Sequence, residues 1–147
     1  MSAIRETIRV VPSARAEQLN ILGAGLSVLC DGETLPLLVG EHVVPPGYGV
    51  PPHVHDSDDE LFVVLDGELI VAGPGGETRA HAGACVQLPR GIPHSFRNDS
   101  EDPTRLLVIA LPGRQALEMF RHFDRAAREP GSATPPEIAA QYGVRFV

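Results

Sequence analysis

The chain has 147 residues, of which 43% are hydrophobic and 21% charged, the balance of a globular protein with one sizeable core. Its formal net charge is −7 and it carries no basic run, which argues against nucleic acid and anionic membrane surfaces as partners. All 12 basic residues are arginine, so chemistry on a lysine amine is excluded; the two cysteines, Cys30 and Cys85, form no CxxC and suggest neither a disulfide framework nor a zinc knuckle.

Gly is 15 and Pro 14 of the residues, so turns are frequent and short strands are favoured over a helical bundle. Residues 1–24 read as an irregular lead with a short strand near Thr7–Val11, and no apolar stretch there resembles a signal peptide. A strand over 25–32 closes at Asp31-Gly32, a hairpin signal, and a second over 35–44 ends at Pro45-Pro46-Gly47. "PHVH" follows as a short strand. Residues 60–73 read as two strands joined at Asp66-Gly67. "GGETRAHAG", "ACVQLPRG", "HSFRN" and "TRLLVIALP" supply the remaining strands. Turn signals recur at the spacing of a sandwich or barrel.

The composition then changes. Residues 114–129 lack Gly and Pro, and Leu117, Phe120, Phe123 and Ala127 recur at helical intervals. After a Gly-Ser linker, "TPPEIAAQYG" predicts a short helix with Thr134 as N-cap, Pro135 at the first helical position and Glu137 closing a capping box. "VRFV" reads as an edge strand. The division is a β core over 1–112 and a helical tail over 113–147, packed on the core as one domain. No apolar run is long enough to span a bilayer, and a cytoplasmic protein is expected.

The chemistry concentrates at two places. His53 and His55 lie two apart on a strand, so their side chains share a face about 7 Å apart, within reach of one ion. Glu60 opens the following strand, and an antiparallel return would set it opposite the two histidines. The spacing suits a His-His-carboxylate metal site, although the outer face of an ordinary strand fits the same pattern. Downstream, Gly83 opens a strand, Pro89 and Gly91 make a turn, and His94 begins the strand that ends at Asn98.

Gly47, His53, His55, Glu60 and Gly67 resemble the first motif of the cupin superfamily at all five positions. Gly83, Pro89, Gly91, His94 and Asn98 resemble its second motif, again at all five, with 15 residues between the motifs. The chain is similar to small single-domain, quercetinase-like cupins. That resemblance implies an all-β fold, a jelly-roll barrel of two antiparallel sheets with the short helical tail appended. It implies one divalent transition metal, whether Fe, Mn, Ni, Co, Cu or Zn, held by His53, His55, Glu60 and His94 inside the barrel. Exposed edge strands and an apolar sheet face predict a two-fold homodimer, with the strand near Thr7–Val11 a candidate for pairing across the interface, and the resemblance also points to homodimers; a monomeric mass in solution would count against this.

Around the site, Phe62 and Val64 share the parity of Glu60, and Phe96 that of His94; they are expected to make an apolar cavity wall. His42 can reach the same cavity from its strand, although packing is the commoner role for it, for His81 and for His122. Asp58 and Asp59 read as a solvated turn, with orientation of a ligand imidazole as the alternative. Cys85 reads as buried and inert. Phe120, Phe123, Tyr142 and Phe146 read as packing residues of the tail, or as a lid on the barrel mouth. The function implied by the resemblance is a metal-dependent dioxygenase. Its substrate would be a small phenolic or enolic molecule, with O2 as co-substrate and Glu60 accepting the substrate proton. A non-redox isomerase, cyclase or lyase using the same metal, and a non-catalytic small-ligand binder, remain open.

Overall fold

Runs of alternating apolar and polar residues become eleven strands in the computed structural model, which describes residues 7–129, 131 and 133–147. In chain order these are β1 (Glu17–Ile21), β2 (Ala24–Asp31), β3 (Leu38–Val44), β4 (Gly49–His55), β5 (Asp59–Asp66) and β6 (Glu68–Gly73). β7 (Gly76–His81), β8 (Cys85–Leu88), β9 (His94–Arg97), β10 (Thr104–Leu111), α1 (Arg114–Arg128), α2 (Pro135–Ala140) and β11 (Val144–Phe146) follow. One sheet has the order β1-β2-β3-β10-β5-β8 and the other β11-β4-β9-β6-β7. The two antiparallel sheets form a jelly roll, as expected.

Strand alternation places the core. Along β3, Leu38, Gly40, His42 and Val44 are buried, whereas Val43 between them is exposed. Phe62 and Val64 of β5 point inward in the same way, beside their ladder partners Val108 and Leu106 of β10. At Asp66-Gly67 the chain leaves one sheet for the other, so β5 and β6 are joined but not paired. Gly67 has φ 86°, and a Cβ there would lie 2.9 Å from Thr104 Oγ1, so glycine is required at this crossing.

Three expectations fail here. Thr7–Val11 is not a strand among the described residues; Ile8 and Val10 are 96% and 81% exposed. The first strand is instead β1, within the stretch read as irregular. Its signal is the alternation of Leu19 and Ile21 ahead of Gly23, and both side chains are buried. Cys85, read as buried, is exposed, because β8 is an edge strand whose Cys85 and Gln87 face outward while Leu88 is buried. Residues 1–6 of the N-terminal lead and Ser132 of the Gly-Ser linker lie outside the described residues.

The tail packs across the barrel. Leu117, Met119, Phe123, Ile138 and Val144 share one buried cluster with Leu19, Leu26 and Leu38 of the first sheet. Its attachment depends on Asp58, read as solvated but in fact buried. One Asp58 carboxylate oxygen accepts a hydrogen bond from Gly113 N at 2.9 Å and the other from Ala116 N at 3.2 Å. The residue before α1, Gly113, has φ 81° and no side chain to cap the helix, so a carboxylate 55 residues away does so. Such a cap contributes about 1–2 kcal/mol. α2 has the predicted capping box, with Thr134 and Glu137 satisfying each other's backbone N–H. No helix among the described residues is long and apolar enough to cross a membrane.

Candidate metal centre

His53 and His55 sit at the end of β4, one buried row on the inner face of the second sheet. β9 runs antiparallel beside it in a register that sets His94 against His53. The turn before β9 secures that register: Gly91 N donates to the His55 carbonyl at 2.9 Å. The three rings converge, with centroids 4.4 Å apart for His53–His94 and 5.2 Å for His53–His55. One nitrogen from each lies within 4.8 Å of the other two, close enough to hold a single metal ion. Asn98, the last motif residue, lies outside this cluster. It is fully buried and ties the end of β9 down, donating to the carbonyls of Val44 and Asp102 at 3.0 and 2.8 Å.

Glu60 reaches the centre from β5, in the opposite sheet. The expected antiparallel pairing of its strand with β4 therefore does not exist; Glu60 faces the histidines across the barrel. Its carboxylate oxygens lie 3.8 Å from His55 Nε2 and 3.8 Å from His94 Nε2.

The chemistry of this donor set fits a divalent transition metal. His53 Nδ1 lies 2.8 Å from the Pro51 carbonyl and His94 Nδ1 3.2 Å from that of Ile92. A carbonyl only accepts, so both Nδ1 atoms carry the proton and both Nε2 atoms offer a lone pair. His94 Nε2 and His55 Nδ1 are buried without any hydrogen-bond partner, a costly arrangement for an imidazole with no ion to bind. Burial, with the neighbouring imidazoles, pulls His55 down to about 3 and His94 to about 4, so both are neutral and ligand-ready. Burial, with the nearby Asp58 charge, pushes Glu60 up to about 8.

These shifts set a pH profile for chelator-treated protein. Below 6.5 the unfolded chain takes up protons that folded His55 and His94 refuse, so their contribution is full above 6.5 and lost as pH falls toward 4 and 3. Glu60 acts oppositely: folded protein keeps a proton that the unfolded chain releases above 4.5, and this contribution is lost as pH rises through about 8. Two histidines outweigh one glutamate between 4.5 and 6.5. The melting temperature in chelator is therefore expected to peak near pH 6.5 and decline toward pH 8, with Glu60→Gln flattening the alkaline side. A thermal scan across pH checks it.

An apolar cavity of about 60 Å³ opens on His53, His55 and Glu60. Phe62, Phe96 and His42 line it. Val64 is buried on the same face of β5 but is not among the lining residues. The tail contributes Met119, Phe120, Phe123 and Phe146, so three of its aromatics are cavity wall, whereas Tyr142 bonds through its hydroxyl with His122 Nδ1 at 2.9 Å. β11 pairs along β4, with Phe146 opposite His53 and Val144 opposite His55, and the Phe146 ring lies 5.9 Å from that of His53. Asp59 pairs with Arg90 at the surface, and His81 is exposed beside Glu68.

A jelly-roll barrel with three inward imidazoles and a facing carboxylate, set at the end of an apolar cavity, defines a metal-centre class of β barrel. Comparison with known proteins agrees. Residues 40–110 match the cupin domain family. A probable germin-like protein of Arabidopsis thaliana, subfamily 2 member 5, is 30% identical over 105 residues, covering 66% of this chain and 49% of that protein. Quercetin 2,3-dioxygenase of Bacillus subtilis strain 168 is 36% identical over 70 residues, covering 48% of this chain and 20% of that one. The chain thus spans about half the length of the first relative and a fifth of the second. A solved sugar phosphate isomerase of Silicibacter pomeroyi superposes with a TM-score of 0.63 at 23% identity, over 70% of this chain and 75% of that one, a likeness of fold. The chain contains a cupin domain, over residues 40–110.

Proposed function

We propose that the protein is a metal-dependent dioxygenase acting on a small phenolic or enolic substrate, working as a homodimer. The observation that carries this reading is the cavity: it is apolar along its walls and ends on a buried carboxylate beside three imidazoles. Among the described residues no arginine lines it, and the chain has no lysine, which disfavours phosphorylated substrates, including those of the isomerase it resembles in fold. The 36% identity to quercetin 2,3-dioxygenase over 70 residues supports oxygen chemistry on such a ligand. The exposed apolar side chains of Ile8 and Val10 support association with a second copy.

His53, His55 and His94 would hold the metal, with Glu60 facing it. A divalent transition metal there would supply Lewis acidity and, if redox-active, access to O2. The protein's own groups do the rest. Apolar walls seat the body of the substrate and exclude water. Glu60, the buried carboxylate facing the three imidazoles and ionised when a cation is held there, takes the proton of the substrate hydroxyl or enol and leaves an electron-rich anion. O2 uptake in step with turnover of phenolic and enolic compounds by metal-loaded protein is the expected result. Full turnover without O2 would sink the dioxygenase reading and assign a lyase, cyclase or isomerase; tight binding without any turnover would assign a binding protein.

A further inference from the structure

One polar group of the cavity wall belongs to no metal-binding set. His42 occupies an inward position of β3, and its partners across the ladder are Leu26 of β2 and Leu106 of β10, both buried. An apolar side chain is the default in such a row, yet here an imidazole only 4% exposed lines the cavity. Its Nδ1 lies 2.8 Å from the Gly25 carbonyl. That oxygen only accepts, so Nδ1 carries the proton and Nε2 is a bare acceptor. Among the described residues no donor meets Nε2.

The ring is held in place. Tyr48 and Phe96 stand nearly perpendicular to it, with centroids at 6.3 and 6.4 Å, and both line the same cavity. The Tyr48 hydroxyl donates to the Ile21 carbonyl at 2.8 Å, so its proton is not free for His42. The ring lines the cavity and Nε2 is not one of its sealed atoms, so a ligand donor can reach this acceptor, and a fixed imidazole selects for that donor.

We propose that His42 is a specificity residue: its Nε2 accepts a hydrogen bond from a hydroxyl or N–H group that the substrate carries away from the oxygen deprotonated by Glu60. Resting on the phenolic or enolic reading, this narrows the substrate to a small hydroxy-ketone or phenol with an apolar body and a second, remote donor. Kojic acid and allomaltol test it, since they share one hydroxy-pyranone and differ only by a remote hydroxyl.

Calorimetry on the full chain loaded with Zn(II) is expected to show about tenfold preference for kojic acid. His42→Phe is expected to abolish that preference while allomaltol binding changes less than about twofold. His42→Gln, which keeps an acceptor, is expected to restore part of it, and its metal content and melting temperature show that the barrel is intact. A preference that survives in His42→Phe, or its absence from the wild type while both probes bind, overturns the role of His42 alone. If neither probe binds the metal-loaded wild type, the phenolic or enolic reading falls, and this assignment with it.

Discussion

Replacing His94 with alanine is expected to weaken metal binding by at least about a hundredfold, since even loss of a group that merely orients a ligand costs 10–100-fold. His94 is 39 residues beyond His55 in the chain, yet its ring lies 4.4 Å from that of His53 and its Nε2 has no hydrogen-bond partner. Without it, the second sheet offers only two imidazoles from one strand. Their centroids are 5.2 Å apart, and the third vertex is gone. The barrel itself should persist. His94 Nε2 is a buried, unsatisfied atom, so its removal takes away a desolvation cost along with the ring's packing. Melting temperatures in chelator should therefore stay close to wild type while metal content collapses. Elemental analysis after purification without added metal, with competition against a chromophoric chelator, measures the effect. Full occupancy in the variant would remove His94 from the site.

The site was more legible in the sequence than its surroundings, for a physical reason. Ligand spacing on β4 follows from the two-residue period of a strand, and the turn at Pro89 and Gly91 carries His94 into register with His53. Such local geometry survives reading in one dimension. Which sheet a strand joins does not: alternation along β5 puts Glu60, Phe62 and Val64 on one face but says nothing of whether that face meets β4 in a ladder or across the barrel. Asp58 shows the same limit more sharply. In sequence it sits in an acidic turn; in space its carboxylate closes a helix that begins 56 residues later, at Arg114. Cys85 was misread because residue type suggests burial, whereas an edge strand presents one of its faces to solvent.

The tail falls between these cases. Its helices were readable from periodicity and caps, and Phe120, Phe123 and Phe146 from their apolar character. Their role as cavity wall depends on two tertiary contacts, the Asp58 cap and the β11–β4 ladder, that no local pattern encodes. β11 pairs with the strand that carries His53 and His55, so a segment that lines the cavity also braces two of the three clustered imidazoles. Cavity wall and imidazole geometry are thereby linked through one short ladder.

Glu60→Gln is expected to separate holding a metal from moving a proton. The three histidines stand on β4 and β9 of one sheet and form a set within 4.8 Å by themselves, whereas Glu60 comes from the other sheet. The imidazole trio can therefore keep an ion when the carboxylate is neutralised, and glutamine retains the volume and one acceptor oxygen. What glutamine cannot do is accept a proton. Burial and the Asp58 charge push Glu60 up to about 8 in the metal-free protein, so it then holds a proton at neutral pH; a cation held by the three imidazoles would draw that proton off and leave a carboxylate able to accept one. Loss of such a base typically costs 10²–10⁴-fold in rate. The variant should thus load metal with no more than about a tenfold loss of affinity while turnover falls by about 10²–10⁴-fold. Metal titration and steady-state rates on the same preparation separate the two quantities. If metal and turnover are lost together, Glu60 is a holder only, and the substrate proton must leave by another route. If both survive, the carboxylate that faces the three histidines serves neither task, and the base must be sought elsewhere in the cavity wall.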